Sequence, residues 1–350
     1  MFDGISDAAL MALVGLVGGT LLGLAARLGR FCTLGAIEDV LYQHSALRLR
    51  MWILAIGVAV TGVHLLAGLG AIDLSETLYL ASPWSPVASI LGGLIFGYGM
   101  SIAGTCGFGA LARTGGGDFR AFVIVLVMGI SAYIMLSGPL AAARVALIEA
   151  TEARLDTLSI AGVIGQIGHA GPTIPGLVAG LAITVAALAS KDALSRPVHL
   201  FWGAVVGLAI VSGWWGTSAV VQSHFSALPV VSHTYSAPLG ETLLYVMTSS
   251  GGGLSFGVGS VAGVLAGAFA GSLIKGHFRW EACEDPRELR RQVLGAVLMG
   301  FGSVLAFGCT IGQGLSAFSV LAFSAPVTFA AIFIGAAIGL RQLITGFAIS

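Results

Sequence analysis

Charge is what this 350-residue chain has least of: Asp, Glu, Lys and Arg make up 9% of it, against 57% hydrophobic residues and a mean hydropathy of +0.97. A soluble domain carries about a quarter charged residues, so a water-soluble globule is excluded and the composition predicts an all-α polytopic membrane protein. The formal net charge is zero, which leaves no basic surplus for a nucleic-acid partner. Cysteine is almost as scarce, with four residues at 32, 106, 283 and 309. They form no Cys-x-x-Cys and no Cys/His cluster, so the sequence specifies no metal site and no thioredoxin-type pair. No cofactor motif is present either. Gly115-Gly116-Gly117-Asp118 lacks the Gly-Lys-Ser/Thr of a phosphate loop and is read as an interfacial turn. The first residues, Met1 to Asp7, lack a basic n-region, so the first apolar stretch is expected to be a retained span rather than a cleaved signal. Cys283, in a polar run, is read as a free surface thiol.

What the chain has instead is glycine, 52 residues of it, and an internal repeat. Leu91, Gly92, Gly97, Gly99, Ala103, Cys106 and Gly109 match Leu294, Gly295, Gly300, Gly302, Ala306, Cys309 and Gly312 without a gap, at a constant shift of 203 positions. This predicts a duplicated membrane hairpin whose bend carries a thiol. Apolar windows fall near 8–28, 51–71, 87–104, 119–136, 174–190, 198–220, 246–273, 292–307 and 327–345, giving about nine transmembrane helices. With the N-terminus outside and the C-terminus cytoplasmic, 14 of the 16 basic residues lie inside, leaving Arg144 and Arg154 outside. The two matched hairpins then enter from opposite sides. Inverted repeats with interrupted helices place a substrate site near the midplane. The chain therefore divides into pseudo-repeat 1 at about 8–136, a linker with two spans over 137–240, and pseudo-repeat 2 at about 241–345, all in one integral membrane domain 1–350. No cysteine in 259–272 answers to Cys32, so the symmetry is expected to break there.

The bends read Ala103-Gly104-Thr105-Cys106-Gly107-Phe108-Gly109 and Ala306-Phe307-Gly308-Cys309-Thr310-Ile311-Gly312-Gln313-Gly314. Irregular backbone at membrane depth survives only where it is buried or lines a cavity. A helix restarting after such a bend aims unpaired N–H groups beside the thiol, which favours an anion. No Lys or Arg lies inside a predicted span away from its ends, so the anion would be held by dipoles and weak donors. A thiol donates poorly to oxygen but is a suitable soft partner for sulfur, which points to a small inorganic sulfur anion. The substrate-binding set is then Cys32, Cys106 and Cys309 with Gly104, Thr105, Gly107, Gly308, Thr310, Gly312 and Gln313. Gly263, Gly267, Gly271, Gly335 and Gly339 are read as helix-packing positions. Trp202, Trp214, Trp215 and Trp280 are read as interfacial anchors, and His169, His199, His224 and His233 as solvated loop residues.

Three segments, Gly29 to Asp39, Gly104 to Ala121 and Phe307 to Ser316, each centred on a cysteine, resemble the signature loops of the YeeE/YedE sulfur-transport family. The resemblance implies inner-membrane uptake of thiosulfate through an hourglass of inverted halves with re-entrant short loop helices. It implies further that Cys32, Cys106 and Cys309 relay the ion by S–H···S bonds, and that a small cytoplasmic TusA-type sulfur carrier is a partner. Permeases for other sulfur or selenium species belong to the same resemblance. Two further classes stand beside it: a membrane-embedded thiol oxidoreductase, which needs cysteines close enough to pair, and a channel for small neutral solutes, which needs no anion site.

Overall fold

The computed structural model describes residues 6–155, 157–169, 171–190, 194–224, 226–250, 253–282 and 285–346. Cys283 lies outside them. The described residues are mainly helical, with three isolated β-bridges and no named strand among them. Helices α1 (Asp7–Leu28), α2 (Thr33–Tyr42) and α3 (Leu47–Gly68) are followed by the one-turn α4 (Leu78–Ala81). Next come α5 (Pro86–Ala103), α6 (Gly107–Gly115), α7 (Phe119–Leu136), α8 (Ala141–Ala150), α9 (Ile160–Ile167) and α10 (Thr173–Leu188). The chain continues through α11 (Pro197–His224), α12 (Ala237–Thr248), α13 (Phe256–Ile274) and α14 (Pro286–Leu305), then a π-helical turn over Gly312–Ala317, and α15 (Ser324–Thr345). Polar side chains fix the helix starts. Ser85 Oγ accepts from the Ala88 amide, Asp118 Oδ1 from Arg120 and Ala121, and Ser255 Oγ from Val258.

Seven helical segments are long and apolar enough to cross a membrane, two of them being α1 continued into α2 and α5 continued into α6. The predicted windows differ from them in three places. The 174–190 window is a 16-residue helix, too short to belong to that class. The helix covering 292–307 begins on the charged turn of Arg287, Glu288, Arg290 and Arg291. The 246–273 window is not one helix: α12 ends at Thr248 and α13 starts at Phe256. Hydropathy averaged across the break hid it, because Leu254 and Phe256 continue the apolar run. On α10, Ile174, Val178, Leu181 and Val185 are all exposed and recur every three or four residues, an apolar stripe facing outward.

Close helix packing follows from glycine. A Cβ on Gly92 would come 2.7 Å from the Gly302 carbonyl oxygen, and one on Gly99 would come 2.7 Å from that of Gly295. The 203-residue shift exchanges these two contacts, since it converts Gly92 to Gly295 and Gly99 to Gly302. Reciprocal contacts of this kind mark a two-fold relation, and α5 and α14 cross antiparallel, because the higher-numbered residue of one meets the lower-numbered residue of the other. Small residues let backbones meet where lipid offers no hydrophobic drive for association. Between α1 and α13 the same device recurs: a Cβ on Gly263 would stand 2.3 Å from Leu16 O, and one on Gly19 would stand 2.3 Å from Ser260 O. The packing role of Gly335 also holds, with Leu94 O 2.3 Å from its would-be Cβ.

Two surface assignments fail. Trp214 is fully buried and donates from Nε1 to Ser319 Oγ at 2.8 Å, so it is an internal strut rather than an interfacial anchor. His233 is also fully buried, its Nδ1 2.7 Å from Ser260 Oγ and its ring 4.9 Å from that of Phe256. His233 lies in the loop before α12, where sequence position alone suggests solvent, while Trp214 lies within α11, on the face turned to Ser319. Burial was set by the long segment 226–236, which folds back into the helix bundle.

Candidate functional site

Three short helices begin at the three cysteines. Cys32 is the N-cap of α2, Cys106 is the N-cap of α6, and residues 310–319 form a helix starting after Cys309. In each case the cysteine carbonyl accepts the first helical bond, from Ala36 at 3.1 Å, Ala110 at 2.8 Å and Gln313 at 2.8 Å. Three positive helix ends therefore sit at three thiols.

Each sulfur also accepts one backbone N–H: Cys32 Sγ from Gly35 at 3.5 Å, Cys106 Sγ from Gly109 at 3.3 Å, and Cys309 Sγ from Tyr235 at 3.2 Å. A thiol has both a weak acceptor and a weak donor. With the acceptor side engaged by the chain, the S–H of each is left to donate elsewhere. Cys106 and Cys309 are buried, while Cys32 is half-buried, and all three are free thiols. Cys106 holds the middle position, within electrostatic reach of both Cys32 and Cys309.

Around Cys106 the buried hydroxyls matter most. Thr33 and Thr310, each directly following one of the other two cysteines, both turn their hydroxyls toward the Cys106 sulfur, and neither hydroxyl oxygen has a partner at full hydrogen-bond geometry. A buried hydroxyl short of a well-formed hydrogen bond costs up to about 1–3 kcal/mol, and two such groups stand at this one thiol. Trp52 Nε1, on a ring stacked 4.5 Å from Phe31, is buried and unpartnered as well.

The bend at Cys309 is held by Gln313. Its Nε2 donates to the carbonyls of Ala306 and Phe307, both at 3.0 Å, supplying the partner that lipid could not. Phe307 has φ of 56° and Gly308 φ of 152°, conformations that strain an ordinary side chain. At the other bend Gly104, with φ of 73°, closes α5 in the left-handed conformation. Its missing side chain faces open space, so Gly104 shapes the turn and does not touch the thiols. Thr105 is buried, its hydroxyl donating to the Cys106 carbonyl at 3.3 Å. Gly107 gives room to Met128 Sδ, 2.6 Å from where its Cβ would be. Gly312 does the same for Thr234 and Tyr79, whose hydroxyl oxygens would lie 2.5 and 2.8 Å from a Cβ there.

Sequence reasoning missed Tyr79, Thr33, Trp52 and the segment carrying Thr234 and Tyr235. Thr234 Oγ1 lies 3.8 Å from Cys309 Sγ, and Tyr79 faces it beneath the edge of Phe307, 5.6 Å away between ring centroids. One signal could have found the last segment: adding 203 to Cys32 gives Tyr235. Residues 259–272, where a counterpart of Cys32 was sought, lie inside the unbroken α13 and form no loop. At the other end, Arg48 spans from Asp39, 3.2 Å away, to the first turn of α2 beside Cys32.

Among known proteins, the sulphur-transport family matches residues 28–338 of this chain. A thiosulfate transporter of Spirochaeta thermophila is 26% identical over 321 residues, covering 90% of this chain and 93% of the relative. One from Escherichia coli K12 is 27% identical over 330 residues, covering 87% of each.

Proposed function

From the premise that this chain belongs to the sulphur-transport family, we propose that it carries thiosulfate across the cytoplasmic membrane, passing the ion along Cys309, Cys106 and Cys32. It is a polytopic membrane transporter, not an enzyme. The observation that carries the substrate reading is the state of the thiols. Each sulfur has its acceptor side taken by a backbone amide, and two hydroxyls without a well-formed bond flank the middle one. Sulfur of a thiosulfate ion is a soft acceptor for S–H, its oxygens are acceptors for the threonine hydroxyls, and the helix ends offset its charge. Weak contacts also let the ion leave. Fixed cations at this depth would hold it too firmly.

The transporter is built from two inverted halves. Element pairings support the second half starting at α11, upstream of the linear match at 241: α1 packs on α13 as α3 packs on α11, and α2 packs on α15 as α12 packs on α7. The N-terminus is outside, which places the α6 end of the path and Cys32 toward the cytoplasm and Cys309 toward the exterior. A small TusA-type carrier would receive the sulfur species there. Expression in a host lacking its own thiosulfate uptake tests the function: growth on thiosulfate as sole sulfur source is expected with the wild type and not with Cys106→Ala. Equal growth with both, at equal membrane expression, would overturn the proposal.

A further inference from the structure

A cavity of about 550 Å³ opens at the end of α6 remote from Cys106, walled by Arg27, Arg113, Asp118, Arg120, Arg279 and Glu281. Its frame is fixed by backbone pairing. Phe119 N donates to Glu281 O at 3.0 Å and Glu281 N to Gly117 O at 3.1 Å, which ties the turn before α7 to the segment after α13. Within it the charges are unevenly matched. Arg120 lies 3.6 Å from each of Asp118, Glu281 and Glu288, and Arg279 pairs with Glu281 at 2.6 Å, a hydrogen bond that holds that carboxyl below its ordinary pKa. Among the described residues, no carboxylate comes within ion-pair distance of Arg27 or Arg113.

These two guanidinium groups line one cavity wall near enough to repel each other, and Asp118 and Glu281 attract Arg27 from a distance without pairing with it. Arg27 is also clamped, its Nε donating to Ser272 Oγ at 2.7 Å and its guanidinium filling the place a side chain on Gly116 would take. A surplus of arginine on the inner face is what membrane orientation requires. That rule does not explain two like charges held together by a side-chain clamp and a glycine vacancy. Such an arrangement is stable when an anion lies between them, and a planar guanidinium pair suits a tetrahedral oxyanion.

We propose that Arg27 and Arg113 bind a small tetrahedral dianion at the inner mouth, the station at which the transported anion arrives after the last thiol. This rests on the transport reading above. Arg113 lies within electrostatic reach of Cys32, and it rides on the same short helix that starts at Cys106, with about 10 Å of helical rise between the two positions. The ion thus passes from weak sulfur contacts, where it is released readily, to a hydrated basic basin that removes it from the path.

The test is equilibrium binding of radiolabelled thiosulfate, sulfate and phosphate to the purified full-length chain, in detergent and in nanodiscs of zwitterionic or anionic lipid. Thiosulfate is expected to fill two sites, one lost in Cys106→Ser and the other weakened about tenfold or more in Arg27→Gln/Arg113→Gln. Sulfate and phosphate are expected to fill only the arginine site. Arg27→Lys/Arg113→Lys, which keeps the charge but not the fork, is expected to fall between the wild type and the glutamine pair, and serves if the latter does not fold. Isotherms unchanged in both arginine pairs would overturn the site. A site occupied only by anionic lipid, and closed to all three ions in zwitterionic discs, would overturn its assignment to the transported anion. Arginine-dependent sulfate binding without any thiosulfate uptake would leave this site standing and refute the transport reading instead.

Discussion

The amide of Tyr235 donates to the sulfur of Cys309 at 3.2 Å, and Tyr235 occupies the position to which the 203-residue repeat carries Cys32. The segment related to one cysteine loop therefore completes the environment of another cysteine. The tyrosine itself is anchored, its hydroxyl 2.9 Å from Ser260 Oγ, so the donor is presented from a fixed frame. Where the first half places a thiol, the second supplies an amide that orients one.

Serine at position 106 or 309 retains a side-chain acceptor for the Gly109 or Tyr235 amide, and serine is a good helix cap. Cys106→Ser and Cys309→Ser are therefore expected to melt within a few degrees of the wild type, as roughly 1 kcal/mol would shift a chain of this size. Thiosulfate uptake is expected to fall about tenfold or more, the loss of one interaction of about 1.4 kcal/mol in the crossing. Thermal unfolding and initial uptake rates on the same preparations check both.

Thr33→Val and Thr310→Val remove hydroxyls that face the Cys106 sulfur without a well-formed hydrogen bond. Stability is expected to hold or rise, since an unpaired buried group disappears without a change of shape. Affinity is expected to fall, because a hydrogen bond to a charged group is worth about 1.5–3 kcal/mol. A KM raised about tenfold or more with an unchanged melting temperature is the expected result. An unchanged KM in the double variant would assign the hydroxyls no role in binding.

Gln313→Leu deletes both bonds that satisfy the Ala306 and Phe307 carbonyls. Two lost bonds with stranded buried acceptors are expected to cost about 2 kcal/mol or more, with uptake lost as the bend relaxes. Hydrogen exchange over 306–319, compared between wild type and variant, reads this directly.

Gly302→Leu is expected to prevent correct assembly of the hairpins, because even a Cβ there would stand 2.5 Å from Phe96 N and 2.7 Å from Gly92 O. Overpacking typically costs about 1–3 kcal/mol, and here backbone rather than side chain is in the way. A folded, monodisperse Gly302→Leu protein in detergent would contradict the packing of α5 on α14.

Much of this was legible before any coordinates. Helices α1, α3, α5, α7 and α15 fall on their hydropathy windows because each is built on one apolar run, with Ser6, Ser85 and Asp118 capping α1, α5 and α7. The break between Thr248 and Phe256 was not legible, since the intervening residues include apolar and small side chains that leave the window average high. Cys106 and Cys309 stood out through the repeat and Thr310 as a polar neighbour of Cys309, whereas Thr33 owes its place to facing Cys106 across the fold. Sequence spacing carries no trace of that. Trp214 and His233 show the reverse error, polar-tipped residues of a helix and a loop that tertiary packing buries with partners.

The most direct test of the thiol path is competition by sulfate during thiosulfate uptake into proteoliposomes. Sulfate carries the same charge but no terminal sulfur for an S–H to meet. Excess sulfate on the outer side is expected to leave wild-type uptake nearly unchanged, with Cys106→Ser taking up thiosulfate about tenfold or more slowly. Sulfate competing as well as unlabelled thiosulfate, or a Cys106→Ser protein transporting at the wild-type rate, would contradict passage along the cysteines.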